Sequence, residues 1–155
     1  MNKGNALLNL GEKQLAIDEY DKAIEIYEDL RNRLGSNFTP DMAGSIAKIY
    51  TNKGSALSAL GEKQLAIKEY DKAIKIHEDL RNRLGDNFTP DMAYNLVLSH
   101  MNKGNVLSGL GENQLSIKEY DKAIKICKYF KNHSNSNIAD NFSKLLSMLQ
   151  KLIKN

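Results

Sequence analysis

The sequence predicts an all-α chain, an α-solenoid of antiparallel helix hairpins with a capping helix at its C-terminal end. Three observations predict it. The segment NKGNALLNLGEKQLAIDEYDKAI at 2–24 returns almost word for word at 52–74 and 102–124. This is a tandem period of 50, with about 35 identical positions between the first two copies. Helix start and stop signals recur at fixed places in each copy, and between them apolar residues step by three and four.

The elements follow in order. Residues 2–10 and 12–34 read as the first two helices. Met1 falls where the middle of a first helix should be, so the first hairpin reads as a truncated one and the chain as the C-terminal piece of a longer array. The next helix spans 40–60. In NFTPDMA, Thr39 is placed to N-cap, Pro40 sits at the first helical position, and Asp41 meets the positive end of the helix dipole. Gly61 stops this helix. Only a residue or two separates it from the helix at 62–84, so the pair must fold back on itself. Gly85 ends that helix. Thr89, Pro90 and Asp91 start another at 90–110, followed by one at 112–132.

The faces that pack are legible. In the second helix of the middle copy, Ala66, Tyr70, Ala73, His77, Leu80 and Leu84 form one seam. In the first helix, Ala43, Ala47, Tyr50, Gly54, Leu57 and Gly61 form a seam of small residues that lets a neighbouring helix approach closely. One hairpin cannot cover both seams, whereas stacked hairpins can. After Ile126 the repeat decays through KYFKNHSNSN. The segment 139–153 then reads as an amphipathic helix with Phe142, Leu145, Leu149 and Leu152 on its apolar face, in the place of a fourth first helix but without NKG. It is the cap that a terminal repeat needs.

Composition bounds the function. The net charge of +3 is too balanced for a nucleic-acid footprint, although it runs from about −2 over 2–51 to about +5 over 102–155. No apolar run approaches the length of a membrane span. The single cysteine, Cys127, excludes an internal disulfide and points to a reducing, cytoplasmic setting. No His–Cys–Asp spacing suits a metal, and NKG is not a phosphate loop because no strand precedes it. His77 shares its position with Tyr27 and Cys127, the mark of a packing position. Glu69 and Asp71 of EYDKA read as solvated charges, and Lys3, Lys53 and Lys103 as a flank.

The positions Tyr50, Gly54, Leu57, Gly61, Ala66, Tyr70 and Ala73 resemble the consensus of a tetratricopeptide repeat. The third copy departs from it only at His100 and Ser116. The resemblance covers about residues 2–132. The unit is longer than the family's usual one, and the LGDNFTPDMA joint is similar to that of long-helix repeats such as kinesin light chains and bacterial arrays attached to signalling domains. The resemblance implies one repeat domain over 1–155, with units at 1–39, 40–89 and 90–137 and a cap at 138–155. It also implies a right-handed superhelix, a concave side lined by first helices where protein or peptide partners bind, no catalysis and no cofactor.

On that face the exposed stripe of the middle copy should hold Gly44, Lys48, Thr51, Ser55 and Ser58, with Tyr94, Leu98, Met101 and Asn105 as third-copy equivalents. Asn2, Asn52 and Asn102 with Asn5 and Asn105 make an amide ladder able to bond a peptide backbone, or to bond within the helix stack. The copies diverge most at 44–51 against 94–101, where individual contacts are expected. Tyr94, Leu98 and Met101 are therefore expected to be accessible. The alternative to partner binding is self-assembly. With half its first helix missing, the first hairpin should leave Ala16, Tyr20, Ala23 and Tyr27 uncovered, which favours a two-fold homodimer.

Overall fold

The computed structural model describes residues 2–154, with the side chain of Asn2 outside the described part. Among the described residues seven α-helices follow one another: α1 (Asn2–Asn9), α2 (Lys13–Leu34), α3 (Pro40–Leu60), α4 (Lys63–Leu84), α5 (Pro90–Ser108), α6 (Asn113–His133) and α7 (Ser136–Lys154). Short 3-10 turns lie at Gly35–Asn37 and Gly85–Asn87, and no strand occurs among the described residues. The chain forms two compact units, Met1–Arg83 and Leu84–Asn155.

The helix ends have local causes. The Thr39 hydroxyl accepts from the Met42 amide at 3.2 Å, and Thr89 from Met92 at 3.3 Å, so α3 and α5 start at Pro40 and Pro90 as expected. At the end of α3, Gly61 takes a left-handed conformation with φ of 88°. The Glu62 amide donates back to the Leu57 carbonyl at 2.9 Å, a closure repeated from Glu12 to Leu7 and from Glu112 to Leu107. The chain thereby reverses within two residues. Two boundaries differ from the sequence reading by more than one residue. The helix α5 ends at Ser108 instead of 110, because Gly109 stands where Ala59 stands in the middle copy and glycine propagates a helix poorly. The helix α7 starts at Ser136, three residues early, because the Asn135 side chain accepts from the Ile138 amide at 3.2 Å and caps it. The loops after α2 and α4 open with 3-10 turns, since the glycine that ends each helix tightens the chain.

Within each hairpin a glycine of the first helix lies against a tyrosine ring of the second. A Cβ placed on Gly54 would lie 2.7 Å from Tyr70 Cε1, and the same clash recurs at Gly4 with Tyr20 and at Gly104 with Tyr120. Each tyrosine hydroxyl then hydrogen-bonds the residue beside that glycine: Asn5 at 2.6 Å, Ser55 at 3.2 Å and Asn105 at 2.7 Å. In the first unit α2 also packs on α3. The Tyr50 hydroxyl donates to Glu28 at 3.1 Å, and Lys53 meets Asp21 at 2.6 Å. In the second unit α6 packs on both α5 and α7, and α7 buries Phe142, Leu145 and Leu149.

One packing expectation is corrected. Ala16 and Tyr20 are fully buried, because α1 is long enough to lay Gly4 on Tyr20. Ala23 and Tyr27, one to two turns further on, are half-buried, whereas Ala73 and His77 are fully buried.

Replacing Gly54 with Leu should lower the unfolding free energy by about 1–3 kcal/mol or more, since the tyrosine ring cannot retreat from a buried site. Removing the cap by Thr89→Ala should cost about 0.5–2 kcal/mol. Urea unfolding followed by circular dichroism measures both; a Gly54→Leu chain as stable as the parent would contradict the packing described here.

Candidate partner-binding face

Each unit carries candidate positions of its own, on α1 and α3 in the first and on α5 in the second. Part of the expected amide ladder is used by the fold. Asn5 Oδ1 accepts from the Tyr20 hydroxyl at 2.6 Å and from Asn52 Nδ2 at 2.9 Å. Asn105 Oδ1 accepts from Tyr120. Both acceptors therefore serve the helix stack, while the amide nitrogens of Asn5 and Asn105 donate to no other protein group among the described residues. Asn102 is half-buried and partnered. The side chain of Asn2, also placed on this face by the sequence, lies outside the described part.

Several stripe positions are not where the sequence placed them. Thr51 is buried, its hydroxyl turned back onto the Ala47 carbonyl at 3.1 Å. Ser55 is half-buried and donates to the Thr51 carbonyl at 3.1 Å. Met101 is buried with 9% of its surface exposed, contrary to the expectation of access: it lies on the side of the stripe next to the buried Val97, where the helix turns it into the core. Leu98 is half-buried. Tyr94 keeps 38% of its surface exposed while its ring meets Phe142 edge-on, with centroids 6.4 Å apart. Lys48 is half-buried and has no ion-pair partner among the described residues. Solvent-facing groups thus remain at Lys48, Tyr94, part of Leu98 and Asn105.

The sequence reading missed an ionic layer beneath these positions. Glu69, taken as a solvated charge, is buried: Lys72 reaches it at 2.9 Å and Lys53 lies 4.0 Å away. Asp71 is exposed, as expected. In the second unit Glu119 is buried among His100 Nδ1 at 2.6 Å, Lys122 at 3.1 Å and Lys103 at 3.4 Å. Lys3 and Glu19 pair at 3.1 Å in the first copy. The signal was present as the lysine of NKG and the first glutamate of EYDKA, set at a fixed distance in every copy. Lys53 and Lys103 are consequently partners of the fold and not a flank.

Burial pushes the Glu119 carboxyl upward. Hydrogen bonds from His100 and Lys122, with the charges of His100 and Lys103, outweigh it and hold the group at about 2. Burial alone lowers His77 to about 4, and neither of its ring nitrogens has a hydrogen-bond partner. Burial raises Cys127, in the equivalent position of the third copy, to about 12. These groups are shielded inside the helix stack, not poised at a surface.

The sequence model of the tetratricopeptide repeat family matches residues 1–30, 47–79 and 97–129, which together make up more than half of the chain. The chain belongs to the tetratricopeptide repeat family. Tetratricopeptide repeats mediate protein–protein interaction and scaffolding, and the family is typically non-catalytic. A search among curated proteins finds no match. Each matched stretch includes one glycine–tyrosine pair. Among the described residues, no helix of this tetratricopeptide repeat protein is long and apolar enough to cross a membrane.

Acid should destabilise the chain through His77. Its neutral form is required in the fold, while the unfolded imidazole takes up a proton near 6.5. Stability should therefore fall as pH drops from about 6.5 towards 4, by about 3 kcal/mol in all. Glu119 adds a loss at lower pH: its contribution is complete above 4.5 and disappears as pH falls towards 2. Denaturant unfolding at a series of pH values should show the first slope, and His77→Cys, the residue of the third copy, should remove it. A parent chain equally stable at pH 6.5 and 4.5 would contradict the burial of His77.

Proposed function

We propose that the chain is a non-enzymatic scaffold that binds a protein or an extended peptide along the face lined by the first helix of each repeat. By their spacing in the sequence, Asn2, Asn5, Lys48, Asn52, Ser55, Tyr94, Leu98, Asn102 and Asn105 belong to this face or flank it; Thr51 and Met101, both buried, support it from within. The observation that carries the reading is the contrast between framework and face. The contacts that hold each hairpin use the same residues in each copy, with Asn or Ser bonding the tyrosine hydroxyl. The facing positions change from Gly44 and Lys48 to Tyr94 and Leu98. Amide nitrogens at Asn5 and Asn105 are suited to peptide carbonyls. Tyr94 and Leu98 supply the apolar area from which interfaces take much of their energy. The lone buried thiol fits a reducing compartment, and we place the protein in the cytoplasm.

The same chain supports a second reading, a two-fold homodimer through the first hairpin. Ile26 of α2 is 61% exposed beside the half-buried Ala23 and Tyr27, so the far half of α2 presents an apolar strip.

Selection of peptides from a random displayed library, followed by calorimetry, tests the first reading. Leu98→Ser, Lys48→Glu and Asn105→Asp should each weaken selected peptides by roughly tenfold with no loss of thermal stability. Peptides indifferent to all three would place binding elsewhere. For the second reading, a mass that stays near 17.4 kDa at every concentration excludes the dimer, and Ile26→Lys should dissociate one that forms.

A further inference from the structure

We infer that the outward side of α6, in the second unit, is a docking surface for an acidic segment of a partner protein, a short run of aspartate and glutamate. It lies on a second helix, whereas the proposed peptide face is lined by first helices, so it is an additional surface.

The difference between the copies points to it. The second helices keep their inner residues: Glu19, Tyr20, Ala23 and Ile24 return as Glu119, Tyr120, Ala123 and Ile124. Four outward positions change. Asp18, Glu25, Glu28 and Asp29 become Lys68, Lys75, Glu78 and Asp79 in the middle copy, and Lys118, Lys125, Lys128 and Tyr129 in the third. The net charge over these four positions goes from −4 through 0 to +3. On α6 all four are exposed, so the change of sign falls where the packing of the hairpin leaves the side chain open.

The geometry suits a chain of carboxylates. Lys118, Lys125 and Tyr129 step by seven and four and line one ridge, with Lys122 and Lys128 beside it. From Lys118 to Lys128 the ridge runs about 15 Å, the span of about five residues of extended chain. Lys118, Lys125 and Lys128 have no ion-pair partner among the described residues, while Lys122 meets the buried Glu119 at 3.1 Å. One carboxylate, Asp121, is exposed on the same side. Tyr129, 51% exposed, stacks on His133 with centroids 4.4 Å apart and sets a flat apolar contact at the end of the ridge. With the lysines of α7, residues 113–154 carry a net charge of +5, a field that draws acidic groups in.

Other occupants fit less well. A second copy offers few free carboxylates at the matching positions of α2. Asp18 accepts from Gln14 at 3.1 Å, Asp29 pairs with Arg33 at 3.4 Å, and Glu28 accepts from the Tyr50 hydroxyl at 3.1 Å. A bilayer needs a free apolar face, and that of α6 is buried against α5 and α7. Nucleic acid is disfavoured by the small net charge of the whole chain, +3, and by a ridge of lysines without arginine.

Fluorescence anisotropy of a labelled octaglutamate peptide titrated with the full chain tests the surface. Two variants are compared with the parent. Lys118→Glu with Lys125→Glu alters the ridge, and Lys144→Glu with Lys151→Glu makes the same change in net charge on α7. All four positions are exposed, so circular dichroism should be unchanged. The parent should bind at about 0.05 M salt and lose most of its affinity at about 0.5 M. The ridge variant should bind at least about tenfold more weakly, and the α7 variant less than about threefold. A parent that does not bind at low salt overturns the inference. So does an equal loss in the two variants, which assigns the binding to net charge alone. Tighter binding of a labelled oligothymidylate or of anionic vesicles, with the same dependence on the ridge, overturns it as well. Leu98→Ser should leave octaglutamate binding unchanged, so failure of this surface and failure of the first-helix face are distinguishable.

Discussion

The approach of a glycine to the ring of a tyrosine sets the geometry of each hairpin. Gly4, Gly54 and Gly104 lie so near Tyr20, Tyr70 and Tyr120 that no side chain fits between them. The consequence reaches beyond packing. With the helices this close, the tyrosine hydroxyl arrives at the residue after the glycine and fixes the orientation of Asn5, Ser55 or Asn105. One steric constraint thus sets how near the helices lie and which amides point at the candidate binding face. A buried hydroxyl without such a partner would be costly, so the hydrogen bond reinforces the position that the glycine permits.

A second layer, ionic and mostly shielded, lies alongside. In the middle copy Tyr50 turns its hydroxyl to Glu28 and leaves Glu69 Oε2 buried without a hydrogen bond. In the third copy His100 stands at the Tyr50 position and bonds the equivalent Glu119 directly. Histidine in place of an aromatic thus supplies the carboxylate with a partner that the middle copy lacks. Buried charges of this kind add little net stability over apolar residues, but removing one partner leaves the other with the full cost of burial. They tie the two helices of a hairpin in one register and leave the outer positions free to vary.

Most of the fold was legible because its determinants are local and repeated. Thr39 with Pro40, Thr89 with Pro90, and Gly61 state where helices begin and end, and the spacing of Ala66, Tyr70 and Ala73 states which side is buried. The start of α7 was misplaced because a cap by Asn135 inside KNHSNSN looks like any other asparagine in a polar stretch. The candidate face was less legible for a different reason. A stripe at helical spacing says which residues share a side, not how far the adjacent helices extend over it. Thr51 and Met101 lie at the margin of the stripe, and there the turn of the helix buries them. Glu69 was misread because charge is taken to be solvated unless a partner is known, and its lysine comes from the preceding helix, 16 positions earlier.

The glycine exists for the tyrosine, and a double-mutant cycle tests this directly. Gly104→Ala, Tyr120→Leu and the double variant are compared with the parent by denaturant unfolding. If the ring is what excludes a methyl group at Gly104, the alanine should be costly beside Tyr120. Once leucine, smaller and more flexible, has replaced the tyrosine, the same alanine should cost little or even help, with a coupling of about 1–3 kcal/mol. Additive effects, within about 0.5 kcal/mol, would show that the glycine answers to some other constraint and would contradict the account.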